Sequence, residues 1–528
     1  MDRPLGAQIS HMLKARGVDV IFGIPGVHNI EMYRGIEEAG IRHILARHEQ
    51  GAGFMADGYA RASGRPAVAY VLPGPGLTNI LTPMGQAYSD SVPMLVISSC
   101  LDPTDVGQAK GKLHEMRDQE GAAATVCDWS KTAHDAAGTY HLIDRALMEF
   151  RTGRARPKHI QVPIGVLGAM ARGFAEAEPV LRQSHAVPDV SEVARLLMQA
   201  RRPLFIFGGG ARWTGEAVQR ILGQSGAASF TTYAGRGLVA TGGTLCFGSY
   251  LARPDSARVL ASADLVVVVG AELAEVDLWR DKLGSAGALV RVDIDPATLA
   301  SQQGAALMIH ARSEEFLAAL ADGLATHQPA TDWTVAEVDA ARARWRAEVD
   351  AERPGVLPVA EALRAALPAG TTIYSDMTQF AYVSVETWDM EGPGLWHHPS
   401  GFATLGYAMP AAIGGKVALP DRPVMAIAGD YGFQYTVQEL GTAVELGLPL
   451  PIIVWDNGKL KEIEDSMRRS QIAPNAVVAR NPDFSALARA YGAHAVRPGS
   501  LGELPATLSA AFAADRPTLI HLTPEIGR

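Results

Sequence analysis

Cysteine is scarce in this chain: Cys100, Cys127 and Cys246 are the only three among 528 residues. Their wide spacing excludes a disulfide framework and a compact thiolate metal site, and it suits a reducing cytoplasm. Positive charge is not in excess either. The formal net charge is −9 and no run of Lys and Arg forms a basic block, which argues against a nucleic-acid partner. Long apolar runs are missing. "LVVVVG" and "MAIAG" are strand-length and too short to cross a membrane. The start, "MDRPLGAQISHMLKARGVDVIFGIPG", is amphipathic, so neither a signal peptide nor a membrane partner is expected. There is no G-x-G-x-x-G. "FIFGGGARW" (205–213) offers only a glycine triplet, a weak signal, which disfavours an NAD-dependent oxidoreductase. Short solenoid repeats are absent as well.

What is present is a large globular composition, 48% hydrophobic and 20% charged. It permits sizeable cores and excludes wholesale disorder. Apolar strand-like runs alternate with helical stretches throughout, which predicts an α/β fold with parallel sheets flanked by helices. Three blocks emerge: 1–180, 190–345 and 355–528. The polar, Pro-containing segment 175–190 reads as a linker. The charged stretch "TDWTVAEVDAARARWRAEVDAERPG" reads as a solvated connecting helix that ends at Pro354.

Within 424–457, "VMAIA" is a strand that stops at Gly429-Asp430. A helical stretch with Val437, Leu440 and Val444 follows and stops at Gly447 before Pro449. "PIIVW" is the next strand, ending at Asp456-Asn457. Such a β-α-β unit makes its two strands parallel, so Asp430 and Asn457 reach the same rim of the sheet, where ligands of open α/β sheets bind. A carboxylate beside an amide oxygen suits Mg²⁺ shared with phosphate oxygens. Taken singly, Asp430 also reads as a helix cap and Asn457 as a turn residue.

The second constellation is "RHEQGAGFMADGYARASG" (47–64). Glu49 stands where a strand meets a helix. Ala52, Ala56 and Ala60, with Gly53, give that helix a small-residue face fit for close approach of another backbone. The plain alternative is a glutamate favoured by the helix dipole.

Gly-Asp-x, some two dozen residues and then Asn-Asn resembles the signature of thiamine-diphosphate enzymes. The resemblance extends over essentially the whole chain, to the acetolactate-synthase-like and 2-oxo-acid-decarboxylase enzymes, with pyrimidine-binding, central Rossmann-like and diphosphate-binding domains. It implies that Asp430, Asn457 and the carbonyl of Lys459 hold Mg²⁺, with Gly429, Tyr431 and Gly432 beside the cofactor. Two positions depart from the family pattern. Tyr431 replaces the usual Gly, and Asp456 replaces the usual first Asn. Neither supplies a metal ligand, and Tyr431 is tolerable if its backbone is not in a glycine-only conformation.

By the same resemblance Glu49 contacts the aminopyrimidine ring, a task that asks for a buried glutamate able to share a proton. "SDMTQFAY" (375–382) implicates Met377, Thr378 and Gln379 at the diphosphate. "SGFATLGYAMPAAIGG" (400–415) makes Ala403 a carbonyl acceptor for the pyrimidine amino group and Leu405 the wedge that bends the cofactor. "GIPGVHNIEMYRG" puts Val27 and His28 near the reacting carbon, and "GKLHEMRDQEG" adds His114, Glu115 and Gln119. His28 and His114 are candidate acid–base groups.

These segments look most like the branch that includes 5-guanidino-2-oxopentanoate decarboxylase. In "GKLKEIEDSM" (458–467), Glu462 occupies a substrate-facing position and is suited to a guanidinium. The alternative is that the run Lys461, Glu462, Glu464 and Asp465 is a solvated helix face. The expected reaction is decarboxylation of a 2-oxo acid to an aldehyde, or alternatively joining of the decarboxylated acid to a second carbonyl. Because both Glu49 and Asp430 are present, a non-catalytic cofactor-binding role is disfavoured. The resemblance further implies a homodimer or homotetramer with active sites at the subunit interface. FAD is not expected, since no arginine- and aspartate-rich stretch follows "VVVVGAEL".

Overall fold

The computed structural model describes residues 1–175, 187–301, 303–478 and 480–527. Most of the expected linker, 176–186, therefore lies outside the described residues. The chain forms three parallel sheets flanked by helices. In the first, the strands lie side by side in the order Arg42–Leu45, Val20–Gly23, Ala67–Val71, Met94–Cys100, Lys158–Pro163, Trp129–Thr132. The central sheet runs Ala228–Thr231, Pro203–Phe207, Leu265–Val269, Ala288–Asp293, Leu307–His310. The third runs Trp396–His397, Thr372–Ser375, Val424–Gly429, Pro451–Trp455, Thr518–Leu522, His494–Val496. Ala67–Val71, Val424–Gly429 and Pro451–Trp455 are buried along their whole length. Helices cover both faces of such strands, so they are apolar throughout rather than alternating.

The first and third domains share one apolar core. The helix Glu49–Ser63 crosses the helix Ala408–Ala418 so closely that a Cβ on Gly58 would run into the Ala411 carbonyl, and one on Gly414 into that of Met55. The crossing uses the Met55 and Gly58 side of the helix, whereas Gly53, part of the expected small-residue face, meets Ile80 and Pro83 of the helix Pro75–Ser89 instead. Polar contacts seal its edges: Tyr374 Oη donates to Gly58 O at 2.8 Å and Tyr407 Oη to Asp57 Oδ1 at 2.8 Å.

One expectation is corrected. The helix Val335–Glu352 is not a purely solvated connector. Val338, Ala341, Trp345 and Val349 form a buried stripe at helical spacing, and Trp345 packs against Phe230, Phe247 and Tyr250 of the central domain. Four apolar residues among many charged ones suffice, because a stripe one residue wide per turn is enough to dock a helix.

Candidate active site

The rim of the third sheet is crowded with oxygen. Gly429 and Trp455 are in register, so Asp430 and Asp456 leave their strands at the same level. A single amide bridges them: Asn481 Nδ2 donates to Asp430 Oδ2 at 2.6 Å and to Asp456 Oδ1 at 2.8 Å. Burial, with the Asp456 charge adding and the Asn481 bond opposing, pushes the Asp430 carboxyl up to about 6. Asp456 behaves differently. Burial works against its charge, but hydrogen bonds from His521 Nε2 (2.9 Å) and Asn481 hold it below the usual carboxylate range. Asn457 sits next to this pair, its Oδ1 accepting from Lys459 N at 3.2 Å. A backbone bridge to Val478 and the bond from Leu460 N to Val477 O (2.8 Å) fix the Lys459 main chain. The structure thus brings Asp430, Asn457 and Lys459 together.

Tyr431 lies in the short helix Asp430–Tyr435 with right-handed backbone, so the position does not require glycine. Gly432 is different: a Cβ there would stand 2.5 Å from an Asp376 carboxylate oxygen. Asp376 follows the strand Thr372–Ser375 and accepts from Met377 N at 2.9 Å and Gly406 N at 2.8 Å. Burial outweighs these donors and pushes its carboxyl up to about 7. One side chain therefore ties the loop of Met377, Thr378 and Gln379 to the segment of Ala403 and Leu405. Thr378 faces Gly429, where an added Cβ would come within 3.1 Å. Ala403 has φ +55°, uncommon for a residue with a side chain, and is exposed. Leu405 is half-buried. Gln379 Nε2 donates to Glu462 Oε1 at 2.8 Å, and Arg353 also binds that carboxylate. The solvated-face alternative does not describe Glu462, which holds a guanidinium of its own chain.

The rim of the first sheet carries far fewer charges. His48 caps the helix Glu49–Ser63 through Nδ1, and Glu49 is buried in its first turn. Its Oε2 accepts from Asn79 Nδ2 at 2.9 Å. The preceding backbone is anchored on the third domain: Arg47 N and His48 N donate to Glu439 at 3.1 and 2.9 Å. On the neighbouring loop, Asn29 accepts from Gly26 N at 2.7 Å and shapes the turn that leaves Val27 65% exposed. His28 and His114 meet Nδ1 to Nδ1 at 3.1 Å. Burial first, and the charge of His114 second, push the His28 imidazole down. Gln119 is turned inward. Its Nε2 donates to Ser98 Oγ and Ser99 O, and its Oε1 accepts from Gly74 N, so its amide holds the rim together.

Asn481, Asp376, Asn79, Glu439 and Arg353 escaped the sequence reading. Two had a visible signal: Asn481 in the polar "NPD" turn that starts the helix Phe484–Ala490, and Asp376 directly after the strand Thr372–Ser375. A cavity of about 420 Å³ lies elsewhere, at the rim of the central sheet, against Gly209, Tyr233 and Arg154. No helix among the described residues is long and apolar enough to cross a membrane.

Comparison with known proteins agrees with this geometry. Residues 3–122 match the N-terminal TPP-binding domain of thiamine pyrophosphate enzymes, 190–320 the central domain and 376–522 the C-terminal TPP-binding domain. The chain is 43% identical to the probable 2-ketoarginine decarboxylase AruI of Pseudomonas aeruginosa, over 98% of this chain and 93% of that protein. It is 28% identical to the acetolactate synthase large subunit of Parasynechococcus marenigrum, over 98% and 86%. It is 27% identical to the isozyme 1 large subunit of acetolactate synthase from Escherichia coli, over 97% and 92%. The chain belongs to the thiamine pyrophosphate enzyme family, with both thiamine-binding domains and the central domain in place.

Proposed function

We propose that this enzyme decarboxylates 5-guanidino-2-oxopentanoate, the 2-oxo acid of arginine, to the corresponding aldehyde and CO₂, with thiamine diphosphate and Mg²⁺. The observation that carries the reading is the oxygen cluster of buried Asp430 and half-buried Asn457 on one sheet rim, in a chain 43% identical to a probable 2-ketoarginine decarboxylase. The residues fit the absent groups. Asp430, Asn457 and the Lys459 carbonyl are hard oxygen donors of the kind Mg²⁺ takes together with phosphate oxygens. Gly432 and Gly429 keep the rim free of side-chain bulk, and Met377, Thr378, Gln379 and Tyr431 surround it. When bound, thiamine diphosphate stabilises the carbanion that decarboxylation leaves.

The chain's own groups do the rest. Buried Glu49, with one amide partner, holds and returns a proton at the pyrimidine ring. Ala403 presents its carbonyl, and Leu405 wedges beneath the cofactor. His28 and His114, hydrogen-bonded to each other, move protons at the reacting carbon. Val27 and Glu462 bound the substrate, and Gln119 ties Gly74 to the strand end at Ser98 and Ser99.

The enzyme acts as a cytoplasmic homo-oligomer, with Glu49 of one subunit facing Asp430 of another. Apolar side chains exposed near the predicted site residues support this: Val27, Leu113, Phe402 and Ile463 are each about half exposed or more. The second reading, an acetolactate-synthase-like carboligase, draws on the 27–28% relatives. A screen of 2-oxo acids with Mg²⁺ and thiamine diphosphate separates the two. CO₂ and aldehyde from the guanidino acid are expected, and acetolactate from pyruvate as the main product would replace the proposal with the second reading.

A further inference from the structure

The two oxygens of Glu462 are unlike. Oε1 accepts from Arg353 Nε at 2.8 Å and from Gln379 Nε2 at 2.8 Å. Among the described residues Oε2 has only Arg353 Nη2, at 3.3 Å. A carboxylate oxygen offers two lone pairs, so Oε1 is filled and the spare capacity lies on Oε2. Arg353 is itself held. It ends the helix Val335–Glu352, its Nη1 donates to Glu352 Oε2 at 3.2 Å, and its guanidinium lies 5.5 Å from the Tyr382 ring centre. Glu352 also accepts from Arg253 at 2.7 Å, and Arg253 donates to Glu386 at 2.6 Å. This ladder sets the guanidiniums of Arg253 and Arg353 against the carboxylates of Glu352, Glu386 and Glu462, which leaves one negative charge over. The cations of the following helix bind its own carboxylates rather than the ladder, Lys459 and Arg468 on Glu464 and Lys461 on Asp465.

We propose that Arg353 is a positioning residue for substrate selection. With Gln379 it fixes the Glu462 carboxylate and turns Oε2 towards the distal cation of the 2-oxo acid, which neutralises the ladder on binding. This rests on the proposed reading that Glu462 faces the substrate. An unclamped glutamate in the first turn of Lys461–Arg469 would sample several rotamers, and a two-point guanidinium contact selects one.

The test compares KM and kcat for 5-guanidino-2-oxopentanoate and for 2-oxohexanoate, whose side chain is uncharged, in the wild type, Arg353→Met, Arg353→Lys and Glu462→Gln, with melting temperature as the check on folding. Arg353→Met is expected to raise KM for the guanidino acid about tenfold, with a smaller change in kcat. Arg353→Lys is expected to recover part of that loss, and 2-oxohexanoate to respond much less. A lowered KM for the guanidino acid in Arg353→Met would make Arg353 a competitor for Glu462 and overturn the inference. Equal changes for both substrates would make it a structural residue only and would overturn the inference as well. If Glu462→Gln abolishes the guanidino preference and Arg353→Met does not, the Arg353 inference alone falls. If Glu462→Gln retains the preference, or the wild type has none, the substrate reading of Glu462 falls and takes the inference with it.

Discussion

Counted along the chain within each domain, the strands of the first sheet lie in the order second, first, third, fourth, sixth, fifth. Those of the third sheet lie in the same order. The two rims are nevertheless loaded differently. In the first domain the carboxylate follows the second strand, at the sheet edge, and has one amide, Asn79, as its side-chain partner. In the third, Asp430 and Asp456 follow the third and fourth strands and share Asn481. A lone buried carboxylate is suited to handling a proton, whereas a crowd of oxygens is suited to a cation. The same topology thus presents two different sets of groups, and the side chains at the strand ends decide which chemistry each set suits.

Removing the lone carboxylate of the first rim should break the comparison most severely. Glu49→Gln is expected to lower turnover roughly 10²- to 10⁴-fold with an unchanged melting temperature, and wild-type turnover in that variant would refute the role. Next in size is the amide that joins the two aspartates. Asn481→Ala leaves Asp430 and Asp456 facing each other unbridged, and Mg²⁺ affinity should fall about 10- to 100-fold. An unchanged Mg²⁺ activation curve would count against it.

The third test separates neighbours. Gly432→Ala pushes a methyl against Asp376 and should cost about 1–3 kcal/mol in urea unfolding, while Tyr431→Gly should cost no more than about 1 kcal/mol. A reversal of that order would mean that the tyrosine, rather than the glycine, fixes the loop. The smallest effect concerns pH. Burial, against hydrogen bonds from Arg47 N, Thr442 and His48 N, pushes Glu439 up to about 7. A carboxyl raised on folding stabilises the fold below its ordinary value, and that contribution is lost as pH rises towards 7. Asp376 has the same sign. The melting temperature should therefore fall between about pH 5 and pH 8, and Glu439→Gln should flatten that slope.

Strand-end motifs were legible because each is local. Asp430 and Asn457 flank one β-α-β unit, and Glu49 follows a strand and opens a helix. The three α/β layers were legible because continuous apolar runs alternate with helical stretches. What tertiary contact alone decides was not legible. Asn481 lies 51 residues beyond Asp430, and Arg353 reaches Glu462 across 109 residues. Neither distance leaves a trace in periodicity. The buried stripe of Val335–Glu352 was present in the sequence, but the charges around it outnumber it.

The crossing of Glu49–Ser63 with Ala408–Ala418 has a mechanical consequence. Each helix carries a segment proposed above to face the cofactor at its amino end, Glu49 on one and Ala403 to Leu405 just ahead of the other. Backbone meets backbone at Gly58 and at Gly414, so no compressible side chain lies between them and the pair behaves as a stiff lever. In the paired subunits proposed above, the two ends of that lever belong to different catalytic centres. A displacement that closes one centre is then felt at the other through main chain alone.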